Sequence, residues 1–312
     1  MKYKVIDGKF AENAVLEANE CCETPFGCLD GCQLVNDRGE IAEFVEVEPL
    51  ADTPQRLRIG AKLGLKGFAK AAINALIAAT GTKKESVSDL AQISSTSDDA
   101  QLAAEGKGAQ ISSSGNKTRI GSGGAWARIS STGYGARIVS GGKEAWIGSS
   151  DYGAQIVSTG YSAQIASAGF GAQIASIGDS ARIAASGDMA RIVANGDRAW
   201  ISASGESMLI ASKSDRARIA ASGNDVQITV SGKKAQISAS GKDAQIIAGG
   251  DKAVISAIGA NSRAKGKLGS WIVLAEYDEQ NNPLCVRAAQ IDGEKLLPDI
   301  FYTLRNGEFR MA

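Results

Sequence analysis

The chain contains no histidine in 312 residues. That absence removes the commonest general base and the commonest metal ligand, and with them every Ser-His-Asp or Cys-His catalytic set. Aromatic residues make up only 5% of the chain, which points to a narrow core of small side chains rather than a bulky globular one. Charge of one sign is missing too. The 34 basic residues balance 34 acidic ones, so nothing advertises a nucleic-acid partner or a DNA mimic. The longest largely apolar run, AAINALIAA at 71–79, falls well short of the ~20 residues a membrane helix needs. The opening stretch MKYKVIDGKFAENAV lacks the apolar segment of a signal peptide. Five cysteines, an odd number, fit a reducing compartment better than a disulfide framework. These absences set an expectation of a cytoplasmic, non-enzymatic protein with no cofactor and no membrane association.

What is present is repetition. From Ser88, nineteen consecutive nonapeptides run without insertion to Ile258, and a decayed twentieth begins at Gly259. Position six is Ile in all but one unit, where Leu102 replaces it. Position four is Ala except at Thr118, Met208 and Val226, and position eight is small. A period this regular predicts a solenoid. Within a unit, Ala181, Ile183 and Ala185 alternate with Arg182 and Ala184, which is the period of a strand. Gly at position one, followed by Asp, Lys, Asn or Tyr, reads as the corner between strands.

Position seven, which points outward, sets the number of strands per coil. Units starting at Ser88 and every 18 residues thereafter carry only Ser, Gly or Ala there, including Ser130, Ala184 and Ser238. The alternate units hold all five β-branched residues: Val139, Val157, Val193, Thr229 and Ile247. Sorting by 27 scatters those five. The expected fold is therefore mainly β, a two-sheet parallel β-solenoid of the β-roll kind. Its 18-residue coils stack at roughly 4.8 Å each.

Three domains follow. Residues 1–87 form an α+β module that ends in an amphipathic helix at about 65–79, expected to lie over the first coil. Residues 88–264 form the solenoid, and residues 265–312 form a β cap with a hairpin tip at Asn306-Gly307. Together, CCETPFGCL at 21–29, RIGAKLGLKGFAKAA at 58–72, the Ala-x-Ile-x-x-Ser-Gly array and AKGKLGSWIVLAEY at 264–277 resemble a family of phage and prophage nonapeptide-repeat proteins. Where that family carries Gly-Phe-His-Ala-Cys, this chain has Ala-Asn-Glu-Cys-Cys at 18–22 and so lacks the histidine. The resemblance implies phage origin, with virion association as one location, and no activity.

The chemistry on offer is sparse. Cys21, Cys22, Cys28 and Cys32 lie close together, but without a Cys-x-x-Cys pair or a histidine they read as ordinary thiols before a zinc site. Position five is a ladder of Gln and Arg, including Arg182 and Arg218, with Trp146 and Trp200 on the same set of units. That face is the expected partner-binding surface. The stripe of Val139, Val157, Val193 and Ile247, with Leu209 beside it, is expected to close a homodimer, the alternative being a terminal module folded back over it. The leading functional expectation is a rigid protein-binding or scaffold surface. Two rivals are an inhibitor of a bacterial anti-phage defence system, by protein occlusion or nucleotide sequestration, and a glycan-binding virion appendage.

Overall fold

The computed structural model describes residues 2–6, 15–17, 22, 25, 27–29, 34–36, 40–50, 53–80 and 88–312. The chain forms two compact units. The first is residues 1–163 with 173–177, and the second is residues 164–172 with 178–312.

The repeat folds as a two-sheet parallel β-solenoid with 18 residues per coil. In the first unit, sheet I contains the strands that begin at Gln92, Gln110, Arg128 and Trp146, and sheet II those that begin at Gln101, Arg119, Arg137, Gln155 and Gln173. In the second unit, sheet I runs through Gln164, Arg182, Trp200, Arg218, Gln236 and Val254, and sheet II through Arg191, Leu209, Gln227, Gln245 and Arg263. Registers advance by one coil: Val139 pairs with Val157, and Thr229 with Ile247. Ser130, Ala184 and Ser238 fall on sheet I, as the sorting by 18 requires.

The core is a column of isoleucines. Ile138 pairs with Ile156, and Ile183 with Ile201, each nearly or fully buried. Alanine at position four is buried in every described coil from Ala109 onward where it occurs. At the corners, position one approaches the backbone of the preceding coil so closely that a Cβ on Gly133 would run into the Gly115 carbonyl oxygen. Position three takes the left-handed conformation, as in Lys117 (φ 54°) and Trp126 (φ 59°). A non-glycine residue there costs roughly 1–2 kcal/mol. The cost is offset by a bond up the stack, Lys117 N–H to Tyr134 O at 2.6 Å and Trp126 N–H to Lys143 O at 2.8 Å. Asp and Asn at position two add a second ladder. Asp179 Oδ1 accepts from Asp197 N–H at 2.9 Å, and Asp215 Oδ1 accepts from Lys233 N–H at 2.7 Å.

Ahead of the solenoid, four antiparallel strands pair in the order β1 (Lys2–Ile6), β3 (Glu43–Leu50), β4 (Thr53–Leu63), β2 (Val15–Glu17). Helix α1 (Leu65–Thr80) follows, and Phe68 stacks on Phe44 with ring centroids 3.8 Å apart. Its place differs from the expected one. Rather than closing the end of the first coil, α1 packs on the strands at Gln101, Arg119, Arg137 and Gln155, across the outer face of sheet II. Ile93 in the first coil accordingly stays half-exposed, whereas Ile111 is buried. Amphipathic spacing identifies an apolar helix face but carries no information about which surface receives it.

At the other end, Trp271–Tyr277 continues sheet I in parallel and then pairs antiparallel with Pro283–Gln290. Tyr302–Arg305 bridges antiparallel to the Arg263 strand and forms a hairpin with Glu308–Met311. The tip at Asn306-Gly307 is held by Glu276, whose two carboxylate oxygens accept both amides at 2.7 Å. Those two bonds, the Gly307 amide first, hold the Glu276 carboxyl below its ordinary range.

Two stability measurements follow. Ile183→Ala removes the bulky inward residue of its strand and should cost about 2–4 kcal/mol in denaturant unfolding. Arg182→Ala, on the exposed side, should cost well under ~1 kcal/mol. Equal effects would overturn the inward and outward assignment. The second measurement concerns Asp151, which replaces glycine at position one and is buried beside the Ser131 and Ser149 hydroxyls. Burial raises its carboxyl above the ordinary value, and the two hydroxyls only partly oppose this. A raised folded-state value means its ionisation favours the unfolded chain. The penalty is absent below the unfolded value of about 3.9 and grows as pH rises through the folded one. Asp151→Gly should therefore melt above wild type at neutral pH, with the gap narrowing on acidification. A gap independent of pH would refute the assignment.

Candidate binding surface

The two outer faces of the solenoid have opposite fates. On sheet II of the first unit, Val139 and Val157 are 0% exposed. They lie on strands that α1 crosses. The helix fits because position seven is small or β-branched there. A Cβ on Gly121 would come within 2.9 Å of Leu76 Cδ1 and 3.5 Å of the Ile73 Cα. Helix residues Phe68, Ala72, Ile73 and Leu76 are buried, while Lys66, Lys70 and Asn74 face solvent. The cover extends beyond the helix: Gln173 Oε1 accepts from the Leu34 amide at 2.6 Å and the Val35 amide at 3.3 Å. In the second unit Val193 and Ala211 are also buried, Leu209 and Ile247 are half-buried, and Thr229 is exposed. The stripe of Val139, Val157 and Val193 is thus not an outward patch open to a second copy. In the first unit the chain's own N-terminal module occupies it. Val139 and Val157 lie on strands that α1 crosses, a cause that sorting by 18 does not name; Thr229 and Ile247 stand on the same set of units without that cover.

Sheet I is the open face. Arg128, Arg182, Arg218 and Gln236 are exposed at position five, and Trp146 and Trp200 are 56% and 50% exposed. In the second unit the Arg218 guanidinium stands 6.0 Å from the Trp200 ring centroid, on the adjacent strand. In the first unit Trp146 pairs with Arg128. The two tryptophans belong to separate units, and each is grouped with its own arginine rather than with the other.

The first unit carries further exposed aromatics that position five alone does not reveal. On the adjoining corner, Trp126 is 54% exposed and Tyr161 46%. The corner backbone ties them together, Trp126 N–H to Lys143 O and Glu144 N–H to Tyr161 O at 2.7 Å. Side chains then fix the rings. Trp126 Nε1–H donates to Glu144 Oε2 at 3.2 Å, Lys143 Nζ lies 5.6 Å from the Tyr161 centroid, and Lys143 pairs with Glu144 at 3.4 Å. On the opposite corner Tyr134 and Tyr152 stack with centroids 5.3 Å apart. Five exposed aromatics therefore stand on successive coils between 126 and 161, where none is needed for the core. Trp126 and Tyr161 occupy turn positions, so a scan of strand positions passes over them. The available signal was an aromatic at positions two and three, where Asp, Lys and Asn are the usual residues.

Elsewhere the chemistry is thin. No group of three or more His, Cys, Asp or Glu suited to a metal occurs among the described residues. Cys28 is buried and Cys22 half-buried; Cys21 and Cys32 lie outside the described residues. A concavity of about 930 Å³ in the second unit is lined by Lys242, Arg263, Glu276, Asp278 and Arg305 among others. Its charges alternate in sign and Glu276 is already held by the hairpin tip, so no single ligand chemistry converges there. No helix among the described residues is long and apolar enough to cross a membrane.

The covered face yields a direct check. Val139→Lys places an unpaired charge under α1 and should lower stability by roughly 3 kcal/mol, with faster proteolysis of the N-terminal module. An unchanged melting midpoint and cleavage pattern would remove the helix from this face.

Comparison of the chain with protein-family models, with curated proteins and with solved structures finds no match.

Proposed function

We propose that the protein is a non-enzymatic β-solenoid of phage or prophage type that presents a rigid surface to a protein partner. The working surface is the outer face of sheet I with its adjoining corner. The observation that carries this reading is the exposed set Trp126, Trp146 and Tyr161, held in place by Glu144 and Lys143 beside Arg128. Trp, Tyr and Arg are the residue types that dominate binding hot spots. Here they stand on a hydrogen-bonded ladder, so little conformational freedom remains to be lost on binding. Sheet II, by contrast, spends its face on the chain's own N-terminal module. A partner belonging to a host defence system would make the protein an inhibitor by occlusion, and one belonging to the virion would make it a structural accessory.

A second reading rests on the same residues. Half-exposed rings flanked by a carboxylate and cations also suit a saccharide, whose apolar ring face stacks while its hydroxyls bond to the flanking charges.

The test compares wild type with the variant Trp126→Ala/Trp146→Ala/Tyr161→Ala in pull-downs from host and infected cells, and in gels cast with soluble bacterial polysaccharide. All three residues are exposed, so melting should shift little. A protein captured by wild type and lost by the variant, at least tenfold weaker, supports the first reading. Retardation by polysaccharide alone supports the second. Equal behaviour of the two proteins in every assay would overturn both.

A further inference from the structure

The strand Pro283–Gln290 is paired on one side only, with Trp271–Tyr277, and ends its sheet. Edge strands are normally blunted by shortness or charge. The edge that ends the other sheet obeys this rule: Glu308–Met311 has four residues and carries the pair Arg310–Glu308. Pro283–Gln290 does not. It has eight residues, one charge at Arg287, and exposed apolar side chains at Leu284 (61%) and Val286 (56%).

We infer that this edge pairs with the same edge of a second copy, forming a two-fold antiparallel dimer with Val286 on the axis. The register follows from symmetry and charge. Opposite residues of an antiparallel pair share a face, so a two-fold axis normal to the sheet must pass between one residue and its own copy. An axis at Arg287 sets two guanidinium groups against each other. An axis at Cys285 leaves Arg287 opposite Pro283. An axis at Val286 sets Val286 against Val286 and Cys285 against Arg287, with Leu284 standing in a bulge beside this pairing. The first contact is apolar and lies on the outer face, because Val286 pairs with Ala275. The second brings complementary charge. Cys285 pairs with Glu276, so Arg287 of the second copy lies two strand spacings from Glu276, roughly 10 Å, within the field of a carboxylate that stays in place on the hairpin tip. Glu276 makes no ion pair among the described residues, and its carboxylate already sits against the Asn306 and Gly307 amides.

The geometry matters for binding. An axis normal to the sheet leaves the second unit's sheet I face, with Trp200 and Arg218, pointing the same way in both copies, so one dimer presents that surface twice and gains avidity for a multivalent target.

The experiment measures mass by light scattering on the full chain. At micromolar concentration the wild type should weigh twice its 32.2 kDa. Val286→Lys, with an unchanged melting curve, should weigh half of that, and Arg287→Glu should weaken the dimer at least tenfold. In a Cys285→Ser background, Val286→Cys should form an interchain disulfide on mild oxidation, and Ala289→Cys should not. A monomeric wild type, a dimer that Val286→Lys leaves intact, or equal cross-linking at 286 and 289 would each overturn the proposal.

Discussion

Along the array isoleucine rests on the isoleucine of the next coil, with Leu102 and Ala264 as the substitutes at its ends, and the rest of the molecule depends on that stacking at a single strand spacing. Ile138 on Ile156 and Ile183 on Ile201 set the register of the coils. Once that register holds, backbone amides at positions three and five find carbonyls one coil away, as Trp126 N–H finds Lys143 O and Trp146 N–H finds Ala127 O. The small residues at positions one, four and eight are the counterpart of the same constraint. Gly133 cannot carry a Cβ without striking the Gly115 carbonyl, and Ala145 is fully buried beside the isoleucine column. The inward half of each nonapeptide is therefore nearly invariant along the chain, and variation is confined to outward positions.

That confinement is what makes the outward residues informative. Positions two, three, five and seven do not bear on the core, so their side chains answer to whatever lies outside. At position seven of sheet II the answer is α1, which explains both the valines under it and Gly121, where the helix backbone comes closest. At position two the usual answer is self-capping, with Asp179, Asp215 or Asn224 accepting from the next coil. Where Tyr134, Tyr152 and Tyr161 replace them, that hydrogen bond is given up for ring contacts on an exposed corner. Forgoing an available backbone hydrogen bond on successive coils, and exposing aromatic surface instead, is what the proposed recognition surface requires.

The architecture was legible in the sequence because a strict period exposes its own geometry. Alternation around Ile183 gave the strand, and the distribution of Val139, Val157, Val193, Thr229 and Ile247 gave the 18-residue coil. The surface was harder. Four of these, Val139, Val157, Val193 and Ile247, with Leu209 beside them, suggested an exposed patch, since an outward direction is all that periodicity can assign. Whether an outward valine meets water or another part of the chain depends on where residues 65–80 dock, and no local pattern encodes that long-range choice. The Trp146 neighbourhood was half visible for a similar reason. Strand positions repeat and invite comparison, while Trp126 and Tyr161 sit in corners whose usual residues vary.

The chain manages its two sheets unequally. Sheet II carries the N-terminal module on its face in the first unit, and the edge that ends it in the second is a short hairpin with an ion pair and a carboxylate-clamped tip. Among the described residues sheet I carries no such cover, and it ends in a long apolar strand with one charge. A solenoid that needed only to be inert would blunt both edges and solvate both faces, because an open edge invites indiscriminate pairing. In the second unit Trp200, Arg218 and the unblunted edge belong to one sheet, so a dimer formed at that edge would duplicate the Trp200–Arg218 surface without altering any residue on it.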